Sequence, residues 1–261
     1  MDIIDAHTHI WPEKIAFKAK SYLENVINHQ IAILPTFDNL LRYMDVAGVS
    51  KSVISSVASR PDQVVPINNW LFSLKYERII VFAAIHPFLY NFKEELKRIK
   101  DNCFGVKLQP NFQNFYVNDE KIFHFYEELE KLQLPILLHC GVSYCGDVKS
   151  SPDKVEKIIV KFPNIKIIGA HMGGYLMWKE SLEVLCGKNL YFDTSDSIRF
   201  MKKELLDKFF THHGFERIIY GSDFPIESSK EDINFIQLLN ISEENKQKIL
   251  SGNIKKLLNI N

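Results

Sequence analysis

Eight short runs rich in isoleucine and valine, separated by longer stretches of helical periodicity, constrain this chain more than any other feature. They are DIIDAH at the start, KSVISSV at Lys51–Val57, RIIVFAAIH at Arg78–His86 and FGVKLQ at Phe104–Gln109. The rest are LPILLHC at Leu134–Cys140, IKIIGAH at Ile165–His171, NLYFDTS at Asn189–Ser195 and RIIYGSD at Arg217–Asp223. Their apolar residues are nearly continuous rather than alternating, the pattern of parallel strands covered by helices on both faces. The intervening segments read as helices. In DNLLRYMDVAGV the stripe Leu40, Leu41, Met44 and Val46–Ala47 ends at Gly48, a C-terminal cap. In NDEKIFHFYEELEKLQLP the start falls at Asn118 or Asp119, and SPDKVEKIIVKFP opens on a Ser-Pro cap.

Eight strands alternating with helices in 261 residues predict an α/β fold, a (β/α)8 TIM barrel, for which roughly 250 residues is typical. An open doubly wound sheet is the alternative. It usually carries a glycine-rich loop after its first strand, whereas this strand ends in His-Thr-His. Residues 1–261 read as a single domain. The tail ISEENKQKILSGNIKKLLNI adds C-terminal helices that cover the barrel bottom or the last strand.

Charge narrows the partners. Lys+Arg and Asp+Glu each number 32, so the net charge is zero, and nothing favours nucleic acid or an acidic membrane surface. No apolar stretch is long enough to span a membrane, and no basic segment followed by an apolar one opens the chain. The four cysteines, Cys103, Cys140, Cys145 and Cys186, form no Cys-x-x-Cys pair and read as reduced thiols. These features together predict a cytoplasmic protein acting on a small molecule.

The chemistry gathers at the ends of the runs, where barrel enzymes keep their active sites. His7 and His9 close the first run, His86 the third, His139 the fifth, His171 the sixth and Asp223 the eighth, while Lys107 and Gln109 lie at the end of the fourth. One histidine at a strand end is ordinary packing. Several with a carboxylate on one rim suggest a metal, because each buried polar group left unsatisfied costs about 1–3 kcal/mol. Side chains two apart on a strand share a face, so His7 and His9 point together, as do Lys107 and Gln109. Imidazoles with a carboxylate suit Zn2+, with Mn2+, Fe2+ or Co2+ as alternatives. Arg60, on the rim after the second run, is a candidate for binding an anionic substrate. Trp11, Tyr175 and Phe224 are candidates for pocket walls.

The ordered set DAHTHIWP, GVKLQPNFQNFY, LPILLHCG, IIGAHMGG, NLYFDTS, RIIYGSDFP and ILSGNIKKLLNI resembles the amidohydrolase superfamily, in its amidohydrolase-related branch, over nearly the whole chain. That branch holds hydrolases and also non-hydrolytic decarboxylases of the aminocarboxymuconate-semialdehyde type. The resemblance implies one divalent metal ion held by His7, His9, His139 and Asp223, with Asp223 and His171 catalytic. By its place in the barrel mouth Lys107 is read as holding a substrate carboxylate, with Gln109, Arg60, His86 and Trp11 as further candidate substrate contacts. Relatives commonly carry histidine where Gln109 stands, which leaves that position's role open. The main expectation is a hydrolase of a small amide, ester or lactone that acts through metal-activated water. The alternatives are a decarboxylase of an unsaturated or aromatic carboxylate and a metal-bearing barrel without turnover. A homodimer is an option that the resemblance leaves open.

Overall fold

In a computed structural model, residues 2–144, 146–226 and 229–260 of the chain are described. Each of the eight runs contains a strand: β1 (Ile4–His9), β2 (Lys51–Ser55), β3 (Ile79–Ala84), β4 (Gly105–Leu108), β5 (Ile136–Leu138), β6 (Ile167–Gly169), β7 (Tyr191–Asp193) and β8 (Ile218–Ile219). They form one parallel sheet in sequence order. The segment after β8 returns to β1 through three backbone hydrogen bonds. Ala6 N donates to Tyr220 O, His9 N to Phe224 O and Asp223 N to His7 O, at 2.9, 2.7 and 2.8 Å. The sheet is thereby curled into a nearly closed barrel, and the open-sheet alternative is set aside.

The connections are α1 (Glu13–Ile27) and α2 (Phe37–Ala47) before β2, then α3 (Val64–Ser73) and α4 (Phe92–Asn102). A short turn of helix, α5 (Pro110–Gln113), follows β4, and α6 (Phe123–Leu132), α7 (Pro152–Lys161), α8 (Trp178–Val184) and α9 (Lys203–His213) follow in order. The chain ends in α10 (Ser229–Leu238), α11 (Glu243–Gln247) and α12 (Asn253–Leu258). The caps fall where the sequence puts them. Gly48 ends α2 in the left-handed conformation, and Ser151 precedes Pro152 at the start of α7. Asp119 caps a short 3-10 turn that leads into α6.

Two apolar layers sit on the two sides of the sheet. The outer layer packs strand residues such as Ile54, Ala83, Val106 and Leu138 against the helices. Cys140 belongs to this layer, so it faces away from the barrel mouth. Cys103, Cys140 and Cys186 are free thiols, while Cys145 lies outside the described residues. The inner layer is Ile4, Ala6, Val53, Ile80, Phe82, Leu137, Ile168, Ala170 and Ile219, joined by Ile254, Leu257 and Leu258 of α12. The last helix therefore plugs the barrel bottom. The π-helical turn Lys248–Gly252 before it reaches the last strand, where Ile249 O accepts from Tyr220 N. No helix among the described residues is long and apolar enough to cross a membrane.

Candidate metal centre

The mouth of the barrel is built from strand ends. The pairing register of β1 shifts between Asp5 and Thr8. This break in alternation lets Ala6 stay in the inner apolar layer while His7 also turns inward, a common use of bulges beside active sites. Thr8 points outward and its Oγ1 donates to Val53 O at 2.8 Å. On the opposite side of the seam, a Cβ at Gly221 would lie 2.9 Å from His7 Cβ, so glycine makes room for the imidazole. His171 and Asp223 stand just past β6 and β8 with φ of 58° and 61°. Their side chains are aimed by left-handed turns rather than by strand alternation.

Hydrogen bonds set the tautomers. His7 Nδ1 lies 2.9 Å from Asp193 Oδ2, and His9 Nδ1 lies 3.0 Å from Ser55 O. Both acceptors require a proton on Nδ1, which leaves a lone pair on each Nε2. Those two Nε2 atoms are 3.1 Å apart. Asp223 Oδ1 stands 3.1 Å from His9 Nε2 and 3.3 Å from His7 Nε2. It is buried and takes no well-aligned hydrogen bond from the described residues. Three lone-pair atoms converging this closely repel one another unless a cation lies among them. Their separations match those of ligands about 2.1 Å from one tetrahedral ion, roughly 3.4 Å. The residues present therefore fit a metal ion.

The four ligands expected from the sequence do not form one cluster. The candidate ligand atoms of His7, His9 and Asp223 lie within 4.8 Å of one another, and a second set is His171, Asp196 and Asp223. His139 joins neither set. Its Nε2 is 3.2 Å from Val142 O, and its Nδ1 is 3.2 Å from His171 Nε2. His171 Nδ1 in turn lies 3.2 Å from Ser195 O. Burial lowers the pKa of His7, His139 and His171, and the neighbouring Lys107 adds to the effect. Neutral imidazole is the form that binds metal.

Lys107 is fully buried, with Nζ 2.8 Å from His7 Nε2. Burial lowers its pKa to about 8, against the pull of Asp223 and Asp193. Gln109 shares the cavity with Lys107 and its side chain accepts from Asn111 N at 3.0 Å. Trp11 and Tyr175 line the cavity as expected. Three other candidates are placed elsewhere. Arg60 is exposed and holds Asp62 at 3.0 Å, so its guanidinium is engaged on the surface. The buried His86 accepts from Phe88 N at 3.2 Å and lies outside the cavity lining. Phe224 stacks on Tyr43 at 4.5 Å, away from the opening.

Sequence reasoning missed Asp193, Ser195 and Asp196. Asp193 is completely buried and accepts from His7, from His171 N at 2.9 Å and from Ser195 N at 3.1 Å. Burial raises its pKa, yet the two imidazoles and Ser195 pull it down to about 2. It is the last residue of β7, inside the run NLYFDTS, so a rule that looks at strand ends rather than run ends finds it. Asp196 lies one residue beyond that run and lines the cavity.

The cavity has a volume of about 740 Å3. Its charged lining among the described residues is Lys107, Asp196 and Asp223, all at the floor, and its walls include Trp11, Phe112, Tyr175, Trp178 and Phe200. A nearly closed parallel barrel with a candidate metal-binding cluster at the C-terminal mouth of its strands is the architecture that (β/α)8 metalloenzymes use. Within that class the family is clear. A family model described as amidohydrolase matches residues 4–260, and the chain belongs to that amidohydrolase-2 family.

The chain is 28% identical over 121 residues to a γ-resorcylate decarboxylase from Polaromonas sp., a match that covers 39% of this chain and 36% of that protein. Solved structures share the fold. A 5-carboxyvanillate decarboxylase from Sphingomonas paucimobilis superposes with a TM-score of 0.77 at 14% identity, covering 100% of this chain and 99% of that one. A dihydroxybenzoic acid decarboxylase from Polaromonas sp., solved with manganese and 2-nitroresorcinol, gives a TM-score of 0.74 at 18% identity, covering 99% and 97%.

Proposed function

We propose that this protein is a metal-dependent, non-hydrolytic decarboxylase of an unsaturated or aromatic carboxylate. One observation carries the reading. The cation-binding cluster and the buried amine of Lys107 share one cavity floor under aromatic walls. An ammonium and a metal ion side by side suit a substrate with a carboxylate and an adjacent oxygen, and flat walls suit a ring. The similarity to γ-resorcylate decarboxylase supports the same reading. It departs from hydrolysis, which the sequence alone favoured as the wider class.

His7, His9 and Asp223 would hold the ion, with His139, His171 and Asp196 on the same floor. A divalent transition metal there supplies a Lewis acid that fixes and polarises substrate oxygens. The neighbouring decarboxylase solved with manganese makes Mn2+ the first ion to test, with Zn2+ the second. Lys107 as ammonium binds the carboxylate. His171 and Asp223, both facing the cavity, are the groups able to carry the proton. The ring carbon that bears the carboxylate takes up one proton through a ring π pair. The bond to the carboxylate then breaks, CO2 leaves and the bonding pair restores the ring. The balance is one carboxylate and one proton consumed, with one arene and one CO2 formed.

The test is CO2 release from hydroxybenzoates by protein loaded with Mn2+ or Zn2+, beside a panel of amides, esters and lactones. Asp223→Asn is expected to lower turnover about 10²–10⁴-fold, the usual weight of a positioned proton carrier. Hydrolysis of an ester or lactone without CO2 from any acid would return the reading to a hydrolase.

A further inference from the structure

Helix α1 contributes to neither apolar layer of the barrel. Yet Leu23, Val26 and Ile27 stand at the i, i+3, i+4 spacing of one helical face. All three are half-buried and line the cavity of the candidate metal centre. Phe112 of α5 adds to this wall, and its ring centroid lies 6.5 Å from that of Tyr22 on α1. The wall is held in place. Glu24 Oε1 accepts from Ile31 N and from Lys20 Nζ, both at 2.8 Å, which ties the end of α1 to the chain behind it. The cavity thus has two unlike parts. Charge is confined to the floor, and the α1 side carries apolar groups bounded by Asn28 and His29.

We infer that the α1 side is a subsite for an apolar substituent, an alkyl chain or a second ring, carried by the aromatic acid away from its carboxylate. The placement of the carboxylate rests on the proposed function; the apolar subsite does not. Three observations fix the occupant. The subsite is continuous with the floor, so one molecule can reach both. A volume of about 740 Å3 is in the range that holds drug-sized ligands, and a one-ring acid fills a fraction of it. Leu23, Val26, Ile27 and Phe112 offer neither charge nor a side-chain hydrogen bond, so between the bounding Asn28 and His29 the wall suits an apolar group better than a second carboxylate or a phosphate. Leu23, Val26, Ile27 and Phe112 are accordingly specificity-determining residues.

The experiment is calorimetric titration of the Mn2+-loaded protein with two probe pairs. One pair is 2,6-dihydroxybenzoate and its 4-propyl derivative, and the other is resorcinol and 5-propylresorcinol. Each buried methylene strengthens binding about fourfold, so the propyl member of each pair is expected to bind at least tenfold tighter. Val26→Asp, and independently Ile27→Asp, is expected to erase that preference and leave the unsubstituted members within about twofold. Circular dichroism checks that both variants are folded. Equal affinity within both pairs, or a preference that survives both substitutions, overturns the inference. A propyl preference with no CO2 released from either acid would remove the decarboxylase reading and keep the subsite.

Discussion

Asp193→Asn separates the support of the metal centre from the centre itself. Asp193 never enters the candidate ligand sets, but its Oδ2 receives the Nδ1 proton of His7 at 2.9 Å. Asparagine keeps one carbonyl oxygen, which can still accept from His171 N and Ser195 N. Its amide then faces His7 as a donor. Two donors cannot share that contact, so His7 moves its proton to Nε2 and loses the lone pair aimed at the ion. Changing such an outer partner costs about 10–100-fold in metal affinity, which is about 1.4–2.7 kcal/mol. The assay is competition for Mn2+ or Zn2+ against a fluorescent chelator at pH 7, with urea unfolding of both metal-free proteins as the control for folding. An affinity within twofold of wild type in a folded variant would refute the argument that Asp193 sets the His7 tautomer.

Two further predictions concern the frame. Ile254→Ala opens a hole in the barrel bottom, where Ile254 is completely buried, and should cost about 2–5 kcal/mol in urea unfolding with metal stoichiometry unchanged. His213 is buried behind β7, where it accepts from Gly187 N and its Nε2 lies 3.1 Å from Leu190 O. Burial, with Arg217 nearby, lowers its pKa to about 4. A lowered basic pKa means that the unfolded chain binds the extra proton, so stability falls as pH drops from about 6.5 to 4. His213→Gln should flatten that fall by roughly 3 kcal/mol. An identical pH profile for the variant would show that His213 titrates alike in the folded and unfolded chain.

Most of the barrel was legible because its strands are buried on both sides, and that burial leaves uninterrupted apolar runs. The runs overshoot their strands. β8 is Ile218–Ile219, while the run extends to Asp223. The excess is where the backbone leaves the sheet and the polar groups begin. Strand alternation was a sound guide for His7 with His9 and for Lys107 with Gln109, which sit on or beside strands. It gave nothing for His171 and Asp223, whose left-handed backbone has no periodic signal. Arg60 and His86 show a different limit. Both have the right residue type near the right end, but local partners, Asp62 and the Phe88 amide, occupy them. The half-buried face of α1 was unreadable for a related reason: an amphipathic helix looks the same whether its apolar side meets a core or a cavity.

The seam of the barrel has a consequence for how the protein matures. The groups that meet across it are far apart in the sequence: Asp5 and Ser222, which are hydrogen-bonded there, are 217 residues apart. His7 and His9 are made long before Asp223, the carboxylate of their candidate cluster. A growing chain therefore offers passing ions a bare His-x-His pair, a weak chelator. The three-ligand arrangement exists only with the last strand docked on the first. On the proposed reading metal loading is tied to the completed barrel, and an ion held by His7, His9 and Asp223 would rivet its seam.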